Sequence, residues 1–382
     1  MVSYHTNGSA SIDSLDSSMI LSVPLPTWKK TTLETLAAGS IPSDPDQVHS
    51  LLLQARDINE ANGRNHAPSE LLPYAQLLYD LCTTTIDAAL ADASHRGMRT
   101  LDLAHLESDA GEYAFLRCSH ERDSEWLLRG REYKHRAANR FANEEQFYVA
   151  AACLQRSATF ASRGHRLCSK KTRTRAHERA WLERQFDDNV ESSVLFSQAG
   201  DYKDAPERQL LMTEHAATAA ELLAKSYGNS PKYTHWQANA YHQHLSRAKL
   251  LAQCRPSAAI SAYQTVATLS HDLYHATGEP AWALASATAL EVKGNLLVAE
   301  GYSASSQSSY HAAEKFANKA ARTLDHSDPF HAELKEVASR CHNRLDELRK
   351  NAKARNRKRE KYYRDEGRYA RLKRTDIKNR SR

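Results

Sequence analysis

The sequence predicts an all-α protein, and three observations carry that prediction. Apolar residues recur at steps of three and four, and no stretch of six or more alternates at period two. No proline occurs between Tyr74 and Ala205, so long helices joined by short turns are the natural reading there. Four of the five tryptophans, Trp126, Trp181, Trp236 and Trp282, are spaced 55, 55 and 46 residues apart, the mark of a repeating unit.

Taken in order, residues 1–42 are rich in Ser, Thr, Asp and Pro without an apolar period. They are expected to form a disordered leader with a short docking segment around Pro24-Leu25-Pro26-Thr27-Trp28. Asp44-Pro45 has the form of an N-cap followed by proline at the first helical position, and Val48, Leu52 and Ala55 follow at helical spacing. After Pro68-Ser69-Glu70, Leu71, Ala75, Leu78, Cys82, Ile86 and Ala89 form one stripe on one helix face. These N-terminal helices are expected over 43–125 and a repeat region over 126–348. A last ordered helix starts at Asp328-Pro329, with Leu334, Val337, Ala338, Cys341, Leu345 and Leu348 on one side. Beyond Leu348 the stripe stops, and a basic tail over 349–382 is expected to continue as a solvated helix that frays near Arg374-Thr375.

Inside the repeat region, Gly200-Asp201-Tyr202-Lys203-Asp204-Ala205 has the form G-D-Y-x-x-A, with Phe196 four positions earlier. Gly294, Gly301, Tyr310 and Ala313 fall at offsets 0, 7, 16 and 19, and weaker versions lie at Tyr133…Phe141…Phe147…Ala150 and Ala258-Ala259…Tyr263…Ala267. These residues resemble the inter-helix turn and small–aromatic positions of the tetratricopeptide repeat, over roughly 126–324. The resemblance implies a right-handed solenoid of helical hairpins, in which Ala205 lets the second helix approach the first, and an interaction function. The period of about 50 residues exceeds the 34 of the standard repeat, which implies longer helices. An irregular bundle of Ala-rich helices is the competing architecture.

Charge is unevenly distributed. The 382 residues carry a net +6, yet residues 349–382 hold 16 Lys/Arg against 4 Asp/Glu, which leaves the body acidic. Within that body, 163–179 holds seven basic residues and one acid. The six cysteines form no C-x-x-C unit and are expected to be packing residues of a reducing interior. No apolar run approaches the roughly 18 residues of a spanning helix, so no membrane insertion is expected; with the dispersed thiols this points to an intracellular, cytoplasmic protein, with a nuclear location as an option if the cell is eukaryotic.

The candidate polyanion-binding residues are Lys353, Arg355, Arg357, Lys358, Arg359, Lys361, Tyr362, Tyr363, Arg364 and Tyr369 in the tail, with Arg166, Lys170, Lys171, Arg173 and Arg175 in the internal patch. Arg pairs phosphates bidentately and Tyr stacks on unpaired bases, a mixture that suits RNA. An import signal at 355–361, or docking on the acidic body or an acidic partner, draws on the same residues. His271 and His275 share one helix face in H-D-x-x-H, which resembles the H-E-x-x-H zinc motif without a third ligand. Gly164–Thr172 lacks the glycine and the strand a phosphate loop needs, and the adjacent acids Glu144-Glu145 and Asp187-Asp188 read as solvated surface. No catalytic residue, cofactor or metal is predicted. The expectation is a non-catalytic adaptor binding another protein through the solenoid and a polyanion or acidic partner through the tail. The alternative is an RNA-binding protein using tail and patch together, and a remote one is a helical metalloenzyme.

Overall fold

The computed structural model describes residues 27–37, 45–61, 72–91, 100–170, 175–200, 202–228 and 230–380. These residues form α-helices joined by short turns, with one 3-10 turn at Leu72–Tyr74 and no strand among them. The helices are α1 Thr27–Ala37, α2 Pro45–Ala61, α3 Ala75–Ala91, α4 Thr100–Glu121, α5 Glu125–Asn143, α6 Phe147–Lys170 and α7 Arg175–Gln198. The chain continues through α8 Ala205–Tyr227, α9 Pro231–Cys254, α10 Pro256–Thr277, α11 Pro280–Ala299, α12 Ser303–Ala321 and α13 Pro329–Arg380. Prolines open α2, α9, α10, α11 and α13, where a missing N–H costs nothing. Gly278 and Gly301 close α10 and α11 at φ 74° and 83°, a backbone that glycine adopts without a Cβ penalty.

From α3 onward each helix packs on the next, so the architecture is a stack of antiparallel helical hairpins, and α11 also reaches α13. The tryptophan spacing has a direct structural meaning. Trp126, Trp181, Trp236 and Trp282 fall in the first two turns of α5, α7, α9 and α11, every second helix. Trp126 meets Tyr79 of α3, Trp236 meets Phe186 of α7 and Trp282 meets Tyr241 of α9, all edge-on at 5.0–5.2 Å. Each contact ties one hairpin to the previous one, and such aromatic pairs add about 0.5–1.5 kcal/mol beyond area burial.

The proposed repeat turn is built as expected where it is described. Ala205 is fully buried in a cluster with Ala151, Phe196 and Met212, and Tyr202 stacks on Tyr148 at 4.5 Å. Asp201 lies outside the described residues. In the second candidate turn, Tyr310 lies over Gly294 so closely that a Cβ there would come within 2.7 Å of the ring. Gly111, Gly130 and Gly164 sit inside helices at similar crossings, Gly164 against the Trp181 indole.

Several expectations are corrected. The leader expected over 1–42 contains α1, whose Leu36 is buried against α2 and whose Thr32 donates to Gln54 Oε1 at 2.7 Å. Residues 1–26 lie outside the described residues, and so do Pro24–Pro26 of the docking segment. The tail does not end its helix near Arg374 but continues to Arg380, since Lys, Arg, Glu and Ala all favour helix. Cys254 is exposed while the other five cysteines are buried, because it falls in the last turn of α9.

Candidate interaction groove

Because the tryptophans mark equivalent positions, residues counted from them occupy equivalent places in successive hairpins. Eight residues after each Trp stand Lys134, Asn189, His244 and Leu290. Lys134 and Asn189 are buried, His244 is half-buried, and in two hairpins this position floors a cleft. One cleft, of about 270 Å³, has α6 and α8 as walls and Gln185 and Asn189 of α7 as floor. The other, of about 520 Å³, has α10 and α12 as walls and Ser286, Leu290 and Lys293 of α11 as floor. In these two hairpins the even-numbered helices wall a cleft, and the odd-numbered helix between them forms its base.

The clefts differ in charge. The α6–α8 cleft is lined by amides, hydroxyls, Met212 and His215. In the α10–α12 cleft Lys293 Nζ donates to Gln264 Oε1 at 2.7 Å, beside serines of the first turns of α12. Ser286 donates across to the Ala267 carbonyl at 3.0 Å, as Ser192 of α7 donates to that of Ala151 at 2.8 Å.

Between α4 and α7 the stack encloses a network of charges that sequence reasoning missed. Lys134 Nζ lies 2.8 Å from both Glu112 Oε1 and Ser108 Oγ, and Arg156 grips the same carboxylate at 2.8–3.0 Å. Burial pushes the Glu112 pKa up, but Lys134 and Arg156 outweigh it and hold the group at about 2. Asp188 is corrected from solvated surface to the centre of a second knot. It is fully buried and accepts from Arg131 at 2.6 and 2.9 Å, His135 at 2.7 Å and Ser157 at 2.7 Å. Those hydrogen bonds overcome desolvation and keep its pKa below the usual carboxylate range. Ser157 donates to the carboxylate, and the imidazole contacts that carboxylate rather than the hydroxyl, so nothing here activates a serine as a nucleophile.

The predicted site residues fall in two places that the fold does not join. From Lys350 to Glu366 every tail residue is exposed. Its helix sorts the charges: Lys350, Lys353, Arg357, Lys361 and Arg364 recur at three and four and form one stripe, about 21 Å long. Arg355, Arg359, Tyr362 and Tyr363 fall on the other side by register, and Tyr362 donates to Glu366 at 3.1 Å. Arg364 sits 3.8 Å from Glu360. Lys358 lies beside the stripe, and the side chain of Tyr369 lies outside the described residues. In the internal patch Arg166 and Arg175 are exposed. Lys171 and Arg173 lie outside the described residues, as does the side chain of Lys170. Arg163 and Arg179, which added to the patch charge, lie over the Phe115 and Tyr227 rings. The patch closes the α6–α7 hairpin, whereas α13 packs on α12 and α11.

His271 and His275 approach at 3.1 Å between ring nitrogens, with Asp272 3.6 Å from His271. Among the described residues no three His, Cys, Asp or Glu side chains converge as metal ligands, and no helix is long and apolar enough to cross a membrane.

The groove and the stacked hairpins define the class: an α-helical hairpin-repeat protein. No protein-family profile matches the chain, and no curated protein does. Among solved structures, a circular tandem repeat protein aligns at 12% identity over 86% of this chain and 84% of its own, with a TM-score of 0.42. Nro1, a hypoxic regulator of sterol synthesis described as a nuclear import adaptor, aligns at 15% identity over 81% of this chain and 91% of its own, also at 0.42. A Rap protein solved with competence and sporulation factor aligns at 12% identity, 85% and 98% coverage and 0.15.

Proposed function

We propose that the chain is a non-catalytic adaptor that binds another protein along the groove between its even-numbered helices and engages a polyanion through its C-terminal helix. The observation that carries this reading is the pairing of two clefts between even-numbered helices with a cationic extension of α13 that is exposed from Lys350 to Glu366. The two buried ionic knots fit the non-catalytic half of the reading, since the carboxylates of Glu112 and Asp188 are each held by basic side chains. The nucleic-acid reading of the tail is favoured over the acidic-protein one by the continuous stripe, whose spacing suits a row of phosphates. The internal patch is not needed for it.

The test is a pull-down with full-length protein and with residues 1–348, each with and without nuclease. Protein capture that survives loss of the tail supports the groove. RNA binding that disappears with the tail supports the polyanion role. If about half of the sixteen basic groups engage a single strand, the log–log salt slope is on the order of −5. Arg357→Glu with Lys361→Glu, both on the stripe, weakens binding more than Arg355→Glu with Arg359→Glu on the far side. Equal, weak binding by both proteins at low salt would remove the nucleic-acid role.

A further inference from the structure

We infer that the cleft between α6, α7 and α8 binds an uncharged amide carrying an N–H, with Asn189 as its acceptor and Gln155 as its donor. The inference rests on the groove as a protein-binding surface and names the group that one position of it reads. Asn189 is 1% exposed. Its Nδ2 donates to the carbonyl of Gln185 one turn earlier, at 2.8 Å. Its Oδ1 is buried without a hydrogen-bond partner in the protein, and the residue lines the cleft. A buried acceptor without a donor opposes folding, and nothing in the packing of α7 on α6 and α8 requires an amide there. The equivalent position in the last hairpin is Leu290, which shows that the fold accepts an apolar side chain at this place.

The lining selects the ligand. Gln155, Thr159, Ser162, Gln185, Asn189 and His215 supply its polar atoms, and none carries a fixed charge. Desolvation lowers the His215 pKa and favours the neutral ring, and Glu214 opposes this in part. A carboxylate would bring its lone pairs against Asn189 Oδ1, and an ammonium would find no counter-charge. Gln155 Oε1 is already taken by Arg208 Nη1 at 3.1 Å, and Arg208 is itself paired with Asp204, so the Gln155 amide is left to donate. An acceptor on the floor and a donor on one wall complement the two ends of an amide. Such a group reaches the groove either from a partner's backbone or from an Asn or Gln side chain.

Saturation-transfer NMR on the full-length protein tests the inference with four small probes. They are N-methylacetamide for a backbone amide, acetamide for a carboxamide, N,N-dimethylacetamide without an N–H, and acetate. The expected result is transfer to an N–H amide with affinity on the order of tenfold above the dimethyl compound and acetate, the ratio one unmet hydrogen bond commands. The better of the first two probes names the source. Asn189→Leu abolishes the preference while the circular-dichroism spectrum and Tm are kept or improved. Gln155→Met, on the wall, serves if Asn189→Leu does not fold, and it too weakens both amides. No transfer to any probe, equal transfer to all four, or an N–H preference that persists in folded Asn189→Leu overturns the inference. Protein capture by wild type that coexists with a failed probe experiment leaves the adaptor reading standing. Lost capture with an intact amide preference does the reverse.

Discussion

Lys134→Met is the sharpest test of the charge network between α4 and α7. The lysine is 4% exposed, and its ammonium is shared by Glu112 and Ser108, at 2.8 Å each. Glu112 lies at about 2 rather than 4.5, a difference worth roughly 3 kcal/mol at 1.36 kcal/mol per pH unit. Lys134 exerts a larger coulombic pull on it than Arg156 does. Losing the lysine, and leaving the Ser108 hydroxyl only the weak Cys153 thiol as a donor, costs about 2–3 kcal/mol at pH 7, near the low end for breaking a buried pair because Arg156 remains. The sign with pH follows from the direction of the shift. A carboxylate with a depressed folded pKa contributes stability that is fully present above about 4.5 and is lost as pH falls toward 2. In the variant Glu112 titrates higher, so there is less to lose, and the penalty narrows between pH 5 and pH 2. Urea unfolding at pH 7 and pH 3, with Glu112→Gln and the double variant, closes a cycle whose coupling is about 1–3 kcal/mol. Additive single variants, or a penalty identical at both pH values, would refute the reasoning.

Three further outcomes follow from packing and from the histidine pair. Ala205→Trp overpacks the cluster of Ala151, Phe196 and Met212 and lowers stability by about 1–3 kcal/mol; an unchanged Tm counts against the repeat turn. Gly294→Ala drives a methyl into the Tyr310 ring, which is 1% exposed and tethered to Asn295 at 2.7 Å, at a similar cost. Gly200→Ala, whose Cβ meets only the Ser197 carbonyl at 3.7 Å, stays within about 0.5 kcal/mol, and equal effects at the two glycines contradict the close-crossing account. Changing both His271 and His275 to Ala leaves bound zinc unaltered, as elemental analysis reports. One equivalent of zinc lost on either change reverses that reading.

The fold was legible because its causes are local. Ala75, Leu78, Cys82 and Ile86, and later Leu334, Val337, Ala338, Cys341 and Leu345, are buried as their spacing predicts, and prolines opened helices at 45 and 329. The charge network was not legible, because burial of a polar residue depends on partners far along the chain. Asp187 and Asp188 diverge by about 100° on a helix, so one faces solvent and the other the core, and no local signal says which. Asp188 draws its partners Arg131 and His135 from more than fifty residues away. A usable signal did exist for the groove floor. Counting eight residues from each tryptophan brings Lys134, Asn189, His244 and Leu290 into register, and the second and fourth of these floor the two clefts.

The two ends of the stack settle their register by different physical means, and that bears on where binding can occur. Around α4–α7, Glu112 takes cations from α5 and α6, and Asp188 of α7 takes donors from α5 and α6. A slide of one turn, about 5.4 Å, would break several charge-assisted bonds at once and strand charges in a dry interior. Farther along, α12 offers Ala313, Ala317, Ala320 and Ala321 to its neighbours, and small residues resist sliding weakly. There the Tyr310 ring seated on Gly294 fixes the register by shape instead. Between these two locks stands the α6–α8 cleft, whose floor residue Asn189 meets no protein partner at Oδ1. Its walls are held by α7, through Ser192 on the α6 backbone and Ser193 on Thr213 of α8, at 2.8 and 3.0 Å. An acceptor so placed pays no ordering cost when a donor arrives, which is the condition under which one hydrogen bond contributes most to affinity.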